Sequence, residues 1–128
     1  MVKLKMEMIL LVIIGGGLGA ALRYIMGMSI AHFLPYPFPI GTLAINVLGS
    51  FLIGILFFVF NDSSFQELFR SFIIVGVLGG FTTFSSFSLE TVGLLNNGRY
   101  GAAMIYVLAS VSLGLSATML GMKLMRAG

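Results

Sequence analysis

Gly79-Gly80-Phe81-Thr82-Thr83-Phe84-Ser85-Ser86-Phe87 decides how this chain is read. The stretch lies in the middle of a long apolar segment, and it is a poor way to write a plain membrane helix. A bilayer core holds no water for loose backbone groups, so irregular backbone is tolerated at that depth only where protein buries it or where it lines a polar cavity. Two adjacent glycines followed by hydroxyls and aromatics therefore predict an interrupted helix and, at the interruption, the functional centre. Such a break exposes carbonyls on one side and amide donors on the other. Carbonyls turned to a common point can hold a cation such as Na⁺, as in discontinuous transporter helices. Phe84 and Phe87 are three apart, hence on one face. The edge of an aromatic ring is electropositive, so two rings presented edge-on can contact a bare anion.

The rest of the chain supports a membrane setting. It has 128 residues, of which 59% are hydrophobic and 9% charged, whereas a soluble domain carries about 25% charged residues. There is no cysteine, so disulfides, thiolate metal sites and cysteine nucleophiles are excluded. A net charge of +3 without a basic run gives no basis for nucleic-acid binding. Nothing resembles a nucleophile–base pair or a metal centre, so the chain is not read as an enzyme. The charged start, Met1 to Glu7, could pass for a leader peptide. Its apolar run continues to Tyr24 without a clean cleavage site, and it is read as a retained first helix.

A spanning helix needs about 20 apolar residues, which predicts one all-α membrane domain over residues 1–128 with four spans. These fall at about 8–28, 39–60, 68–95 and 100–124. Pro35, Pro37 and Pro39 prevent helix before the second span and leave Pro39 at its start. Asn61-Asp62-Ser63-Ser64 predicts a turn and helix cap, and Asn96-Asn97-Gly98-Arg99 another turn. Lys123 and Arg126 suit the membrane interface. Four spans place both termini on one side. Lys3, Lys5, Arg70, Lys123 and Arg126 then lie with the termini, and Arg23 and Arg99 opposite, a bias that favours cytoplasmic termini. The 17 glycines include Gly15 with Gly19 and Gly16 with Ala20, the small-residue spacing that lets membrane helices touch. Together they predict a tight bundle that needs a partner.

Polar residues recur at depth. Thr42, Asn46 and Ser50 share one face of the second span, and Asn46 sits about 10 Å into it at helical rise. Its amide offers two donors to an anion, or else makes an interhelical hydrogen bond. Tyr106, Ser110, Gly114 and Thr118 form a stripe on the fourth span that either packs helices or lines an anion track. Arg23, at the end of the first span, either snorkels to the interface or draws anions into a vestibule. Glu90 is placed near a pore mouth, and His32 is given no role.

These residues resemble the Fluc family of bacterial fluoride channels. The likeness is carried by Gly16 to Tyr24, by Gly41 to Phe51, by Gly79 to Phe87 with Glu90, and by Tyr106 with Ser110. The second and third blocks are the specific ones. Position 86 is Ser where the family pattern usually has Thr, and the hydroxyl is kept. The resemblance implies an antiparallel homodimer with two pores in the bacterial inner membrane, each subunit surrounded by lipid, exporting cytoplasmic fluoride passively. It implies a structural Na⁺ at the dimer centre, bound by backbone oxygens of Gly79 and Thr82. It also implies a fluoride path along Asn46, Phe84, Phe87, Ser85, Tyr106, Ser110 and Thr118, with Arg23 at a vestibule.

The physics of a small, hard anion agrees. Its desolvation costs tens of kcal/mol in an idealised low-dielectric medium (roughly 20 for a carboxylate-sized ion), so donors are needed at every step. The alternative is a small four-helix, proton-coupled exporter of organic cations. That mechanism needs an acid near mid-membrane, which the first span lacks, and the chain has no Trp to stack a flat cation. A subunit that only assembles, with its polar stripes as packing glue, is a third possibility.

Overall fold

A computed structural model describes residues 2–59 and 64–127. The first helix, α1, runs over Val2–Phe33, past the expected end near Met28. No residue stops it until the chain meets Pro35, whose ring disfavours helical backbone at the preceding position. Pro39 caps α2, which covers Ile40–Leu56. The turn expected at Asn61, Asp62 and Ser63 lies outside the described residues.

The third apolar segment is composite. It comprises α3 (Ser64–Arg70), a π-helical stretch (Ser71–Leu78), one last α-helical turn, α4 (Gly79–Phe81), then a break, then α5 (Phe84–Asn96). Helix α6 covers Tyr100–Ala127. Helix α5 ends in a Schellman motif. Gly98 takes φ +72, the Gly98 amide donates to the Leu95 carbonyl at 3.0 Å, and the Arg99 amide to that of Leu94 at 2.8 Å. The left-handed conformation at this point needs a residue without a side chain.

Three helical stretches, Lys5–Phe33, Gln66–Asn96 and Tyr100–Ala127, are long and apolar enough to cross a bilayer, and Ile40–Leu56 is a shorter apolar helix. The chain is a multi-pass membrane protein. Helix α2 packs chiefly against α6, and α1 chiefly against the π-helical stretch and α4.

Glycine governs both seams. A methyl group on Gly15 would strike the Phe72 carbonyl, and one on Gly19 the Val77 carbonyl. Across the other seam, a methyl on Gly54 would strike the Thr118 carbonyl. With no hydrophobic force between helices in lipid, such close backbone contact is what holds them together. The small-residue spacing read from α1 therefore does the work assigned to it.

The helix breaks at a different place from the one expected. Gly79 is helical, with φ −62 and ψ −39, and α4 carries both glycines. The extended residues are Thr82, at φ −81 and ψ 157, and Thr83, at φ −150 and ψ 118. Gly80 is needed for another reason: a methyl there would collide with the Gly16 carbonyl. The glycine pair lets the half-helix press onto α1, and the threonines make the interruption.

Candidate functional site

Thr83 starts the second half-helix by capping it. Its Oγ1 accepts the Ser86 amide at 3.1 Å, the usual service of a threonine before the first helical residue. Its own backbone is closed by Asn46 from α2. The Asn46 Nδ2 donates to the Thr83 carbonyl at 3.0 Å, and the Thr83 amide donates to Asn46 Oδ1 at 2.8 Å. Asn46 thus makes the interhelical bond weighed against anion contact, and the partner is the break itself. One of its two amide hydrogens remains for another acceptor. On the other side of the break, the Leu78 carbonyl accepts both the Thr82 amide at 3.0 Å and the Thr82 hydroxyl at 2.9 Å. Arg23 Nε donates to the Gly80 carbonyl at 3.0 Å. Among the described residues no donor reaches the Gly79 or Thr82 carbonyl.

Two cavities flank the interruption, and Thr83 lines both. The larger, about 780 Å³, is bordered by Arg23, Thr42, Ser86, Glu90 and Arg99 with aromatic walls from Tyr24, Tyr36 and Phe38. The smaller, about 400 Å³, is bordered by Asn46, Ser50, Gly79, Thr82, Phe84, Phe87 and Ser110. Phe84 is 78% exposed. Its ring lies 5.5 Å from that of Phe87, inclined at 47°. Phe87 in turn rests 5.2 Å from the Tyr106 ring, so one ring is anchored and the other stands free. The buried Ser110 hydroxyl has no hydrogen-bond partner among the described residues. A buried hydroxyl without a partner is rare in a native protein and calls for an explanation.

The structure brings Asn46, Phe84, Phe87 and Ser110 to the smaller cavity and Arg23 to the larger one. Ser85 stands at the break, its hydroxyl 3.2 Å from that of Thr83. Tyr106 and Thr118 are placed elsewhere. Tyr106 is fully buried, and its hydroxyl donates to Glu90 Oε2 at 2.7 Å. Thr118 Oγ1 donates to the Ser50 carbonyl at 2.9 Å and to the Gly114 carbonyl at 3.2 Å, so it ties α6 to α2. The Tyr106–Ser110–Thr118 stripe is real as a helix face, but its members have separate duties.

Glu90 carries more than the sequence suggested. Thr42 Oγ1 donates to its other oxygen, Oε1, at 2.7 Å, so each carboxylate oxygen holds one hydroxyl. The Glu90 clamp joins α2, α5 and α6 at the wall of the larger cavity. The stripe Thr42, Asn46, Ser50 therefore meets three partners in turn: Glu90, the Thr83 backbone and Thr118. His32 lies away from both cavities, its ring edge-on to Phe33 at 5.1 Å. The described residues contain no cluster of three or more His, Cys, Asp or Glu that could hold a metal ion.

Residues 10–122 match the family described as CrcB-like protein, Camphor Resistance. The chain belongs to the CrcB family. Among its relatives, the fluoride-specific ion channel FluC of Rhizobium meliloti is 46% identical over 123 residues, which cover 95% of this chain and 98% of that protein. A FluC channel of Thermus thermophilus is 47% identical over 119 residues, 93% of this chain and 95% of that one. That of Rhodospirillum centenum is 46% identical over 125 residues, covering 94% and 97%. CrcB proteins named in this way are ion channels and not enzymes. The relatives are bacterial, and the chain is accordingly a multi-pass bacterial membrane protein. The expected kinship is thus met across nearly the whole chain.

Proposed function

We propose that this chain is a passive, fluoride-selective channel through which cytoplasmic fluoride leaves a bacterial cell across its inner membrane. The observation that carries the reading is the unpartnered Ser110 hydroxyl beside Phe84 and Phe87 in the smaller cavity. A donor kept free beside two aromatic rings suits an ion that must exchange water for protein step by step. The relatives named as fluoride-specific ion channels support the choice of anion.

Fluoride enters the larger cavity past Arg23, crosses at Thr83 and the spare hydrogen of Asn46, and moves along Ser85, Phe84, Phe87 and Ser110. From Thr83 onward each of these offers a hydroxyl, an amide hydrogen or a ring edge, and none carries a full charge that would trap the ion. Tyr106 and Thr118 support this path from behind, Tyr106 by steadying Phe87 and Glu90, Thr118 by fixing α6 on α2.

The whole chain forms a single domain of four spans, α2 being the shortest. At 17 residues it is about 25 Å long at helical rise, close to the hydrocarbon thickness. Two copies associate as an antiparallel dimer with two pores. Among the described residues the Gly79 and Thr82 carbonyls lack donors, a need that lipid does not meet, and a second copy would cover them beside the exposed Phe84. Those carbonyls suit a hard cation, and a Na⁺ held by backbone oxygens of Gly79 and Thr82 would supply a fixed positive charge near the anion path. No observation favours the proton-coupled cation exporter.

A bacterium stripped of its own fluoride export and supplied with this chain tests the proposal. Growth in fluoride-containing medium is expected to return. Continued fluoride sensitivity, with the protein present in the membrane, would overturn it.

A further inference from the structure

Arg23 joins two places that the channel reading treats separately. Its side chain borders the larger cavity, while its Nε donates to the Gly80 carbonyl at the break, 3.0 Å away. The half-helix that ends at Phe81 leaves its last carbonyls without helical partners, and that end carries partial negative charge. The Leu78 carbonyl is taken by Thr82 and the Gly80 carbonyl by Arg23. The Gly79 carbonyl between them is left without a donor among the described residues. Successive residues point about 100° apart around a helix. Gly80 accordingly faces α1, pressed on Gly16, while Gly79 borders the smaller cavity with Thr82.

We propose that Arg23 is a positioning residue for the cation site: its bond to Gly80 fixes the rotation of the terminal turn and so aims the Gly79 carbonyl. This rests on the reading of Gly79 and Thr82 as Na⁺ ligands. A guanidinium is suited to the task because its planar donors hold an acceptor in one orientation, which a lysine ammonium does not. Arg23 also borders the larger cavity. One side chain therefore couples the entrance for the anion to the seat of the cation.

The test is sodium-dependent thermal stability of the purified protein, titrated with NaCl against N-methylglucamine chloride at constant ionic strength. The wild-type melting temperature is expected to rise with Na⁺. In Arg23→Gln the half-saturating Na⁺ concentration is expected to increase about tenfold, the consequence of losing a charge-assisted hydrogen bond, and in Arg23→Lys by less. Ser29→Ala on the same helix, whose hydroxyl meets only the Ile25 carbonyl, is expected to keep the wild-type value. A purely structural arginine would lower the melting temperature equally with and without Na⁺ and leave the midpoint in place, which overturns the inference. An equal shift in Ser29→Ala overturns it as well. A wild type that does not respond to Na⁺ refutes the cation site itself, and the role of Arg23 with it. If Arg23→Gln yields no folded protein, the midpoint in Arg23→Lys decides by the same criterion.

Discussion

Replacing Ser110 by Ala should make the protein more stable and a worse channel. The Ser110 hydroxyl is buried and, among the described residues, unpartnered. A buried polar group in that condition costs about 1–3 kcal/mol, and alanine removes the group without leaving a cavity that other side chains would have to fill. Alanine also suits an interior helical position better than serine, by about 0.5 kcal/mol. The net gain should be about 1.5–3.5 kcal/mol, seen as a rise of roughly 5–13 °C in melting temperature. Flux should move the other way. A hydrogen bond to a charged group contributes about 1.5–3 kcal/mol, so loss of the donor should slow fluoride by about tenfold to a hundredfold. Ser110→Thr keeps the hydroxyl and should retain most of the flux. The assay is fluoride efflux from loaded proteoliposomes, paired with thermal unfolding of the same preparations. Opposite signs are the point, because a serine that merely glues helices together would lose stability on truncation and leave flux alone. A destabilised Ser110→Ala variant with normal efflux would refute the reasoning.

Asn46→Ala strips both partners from the Thr83 backbone and should cost about 2–4 kcal/mol of stability and abolish efflux; thermal unfolding and vesicle efflux check the two parts. Gly19→Ala forces a methyl into the Val77 carbonyl and should separate α1 from the third apolar segment, read as loss of monodisperse protein by size exclusion. Thr118→Val removes only bonds to the Ser50 and Gly114 carbonyls; it should cost about 0.6–1.7 kcal/mol and leave efflux within about twofold of wild type.

The helices were legible because their signals are local: apolar runs, proline punctuation and the Asn97-Gly98 turn. The interruption was legible because the hydroxyl and aromatic residues after the glycine pair have no place in a lipid-facing helix, whereas the link to fluoride channels came from the resemblance of four sequence blocks to the Fluc family. The position of the break was misjudged by taking glycine as the breaker. In a membrane bundle glycine serves contact first, and Gly80 is spent on Gly16. Thr83 with Ser86 three residues on was the usable signal, a cap written in the middle of a helix. The end of α1 carried a similar signal, since Pro35 is the first residue able to stop it. Neither the π-helical stretch nor the Glu90 clamp could be read in this way. The Glu90 clamp depends on partners 48 and 16 residues away in sequence. A separation of 57 residues in sequence hid the Arg23–Gly80 bond.

Paired efflux of fluoride and chloride from vesicles carrying the wild-type chain, Phe84→Ile and Phe87→Ile measures selectivity and the role of the rings together. The account predicts rapid fluoride loss from wild-type vesicles with chloride retained, and much slower fluoride loss from both variants although each still assembles. Equal passage of the two halides through the wild type, or undiminished fluoride efflux once the rings are gone, would contradict it.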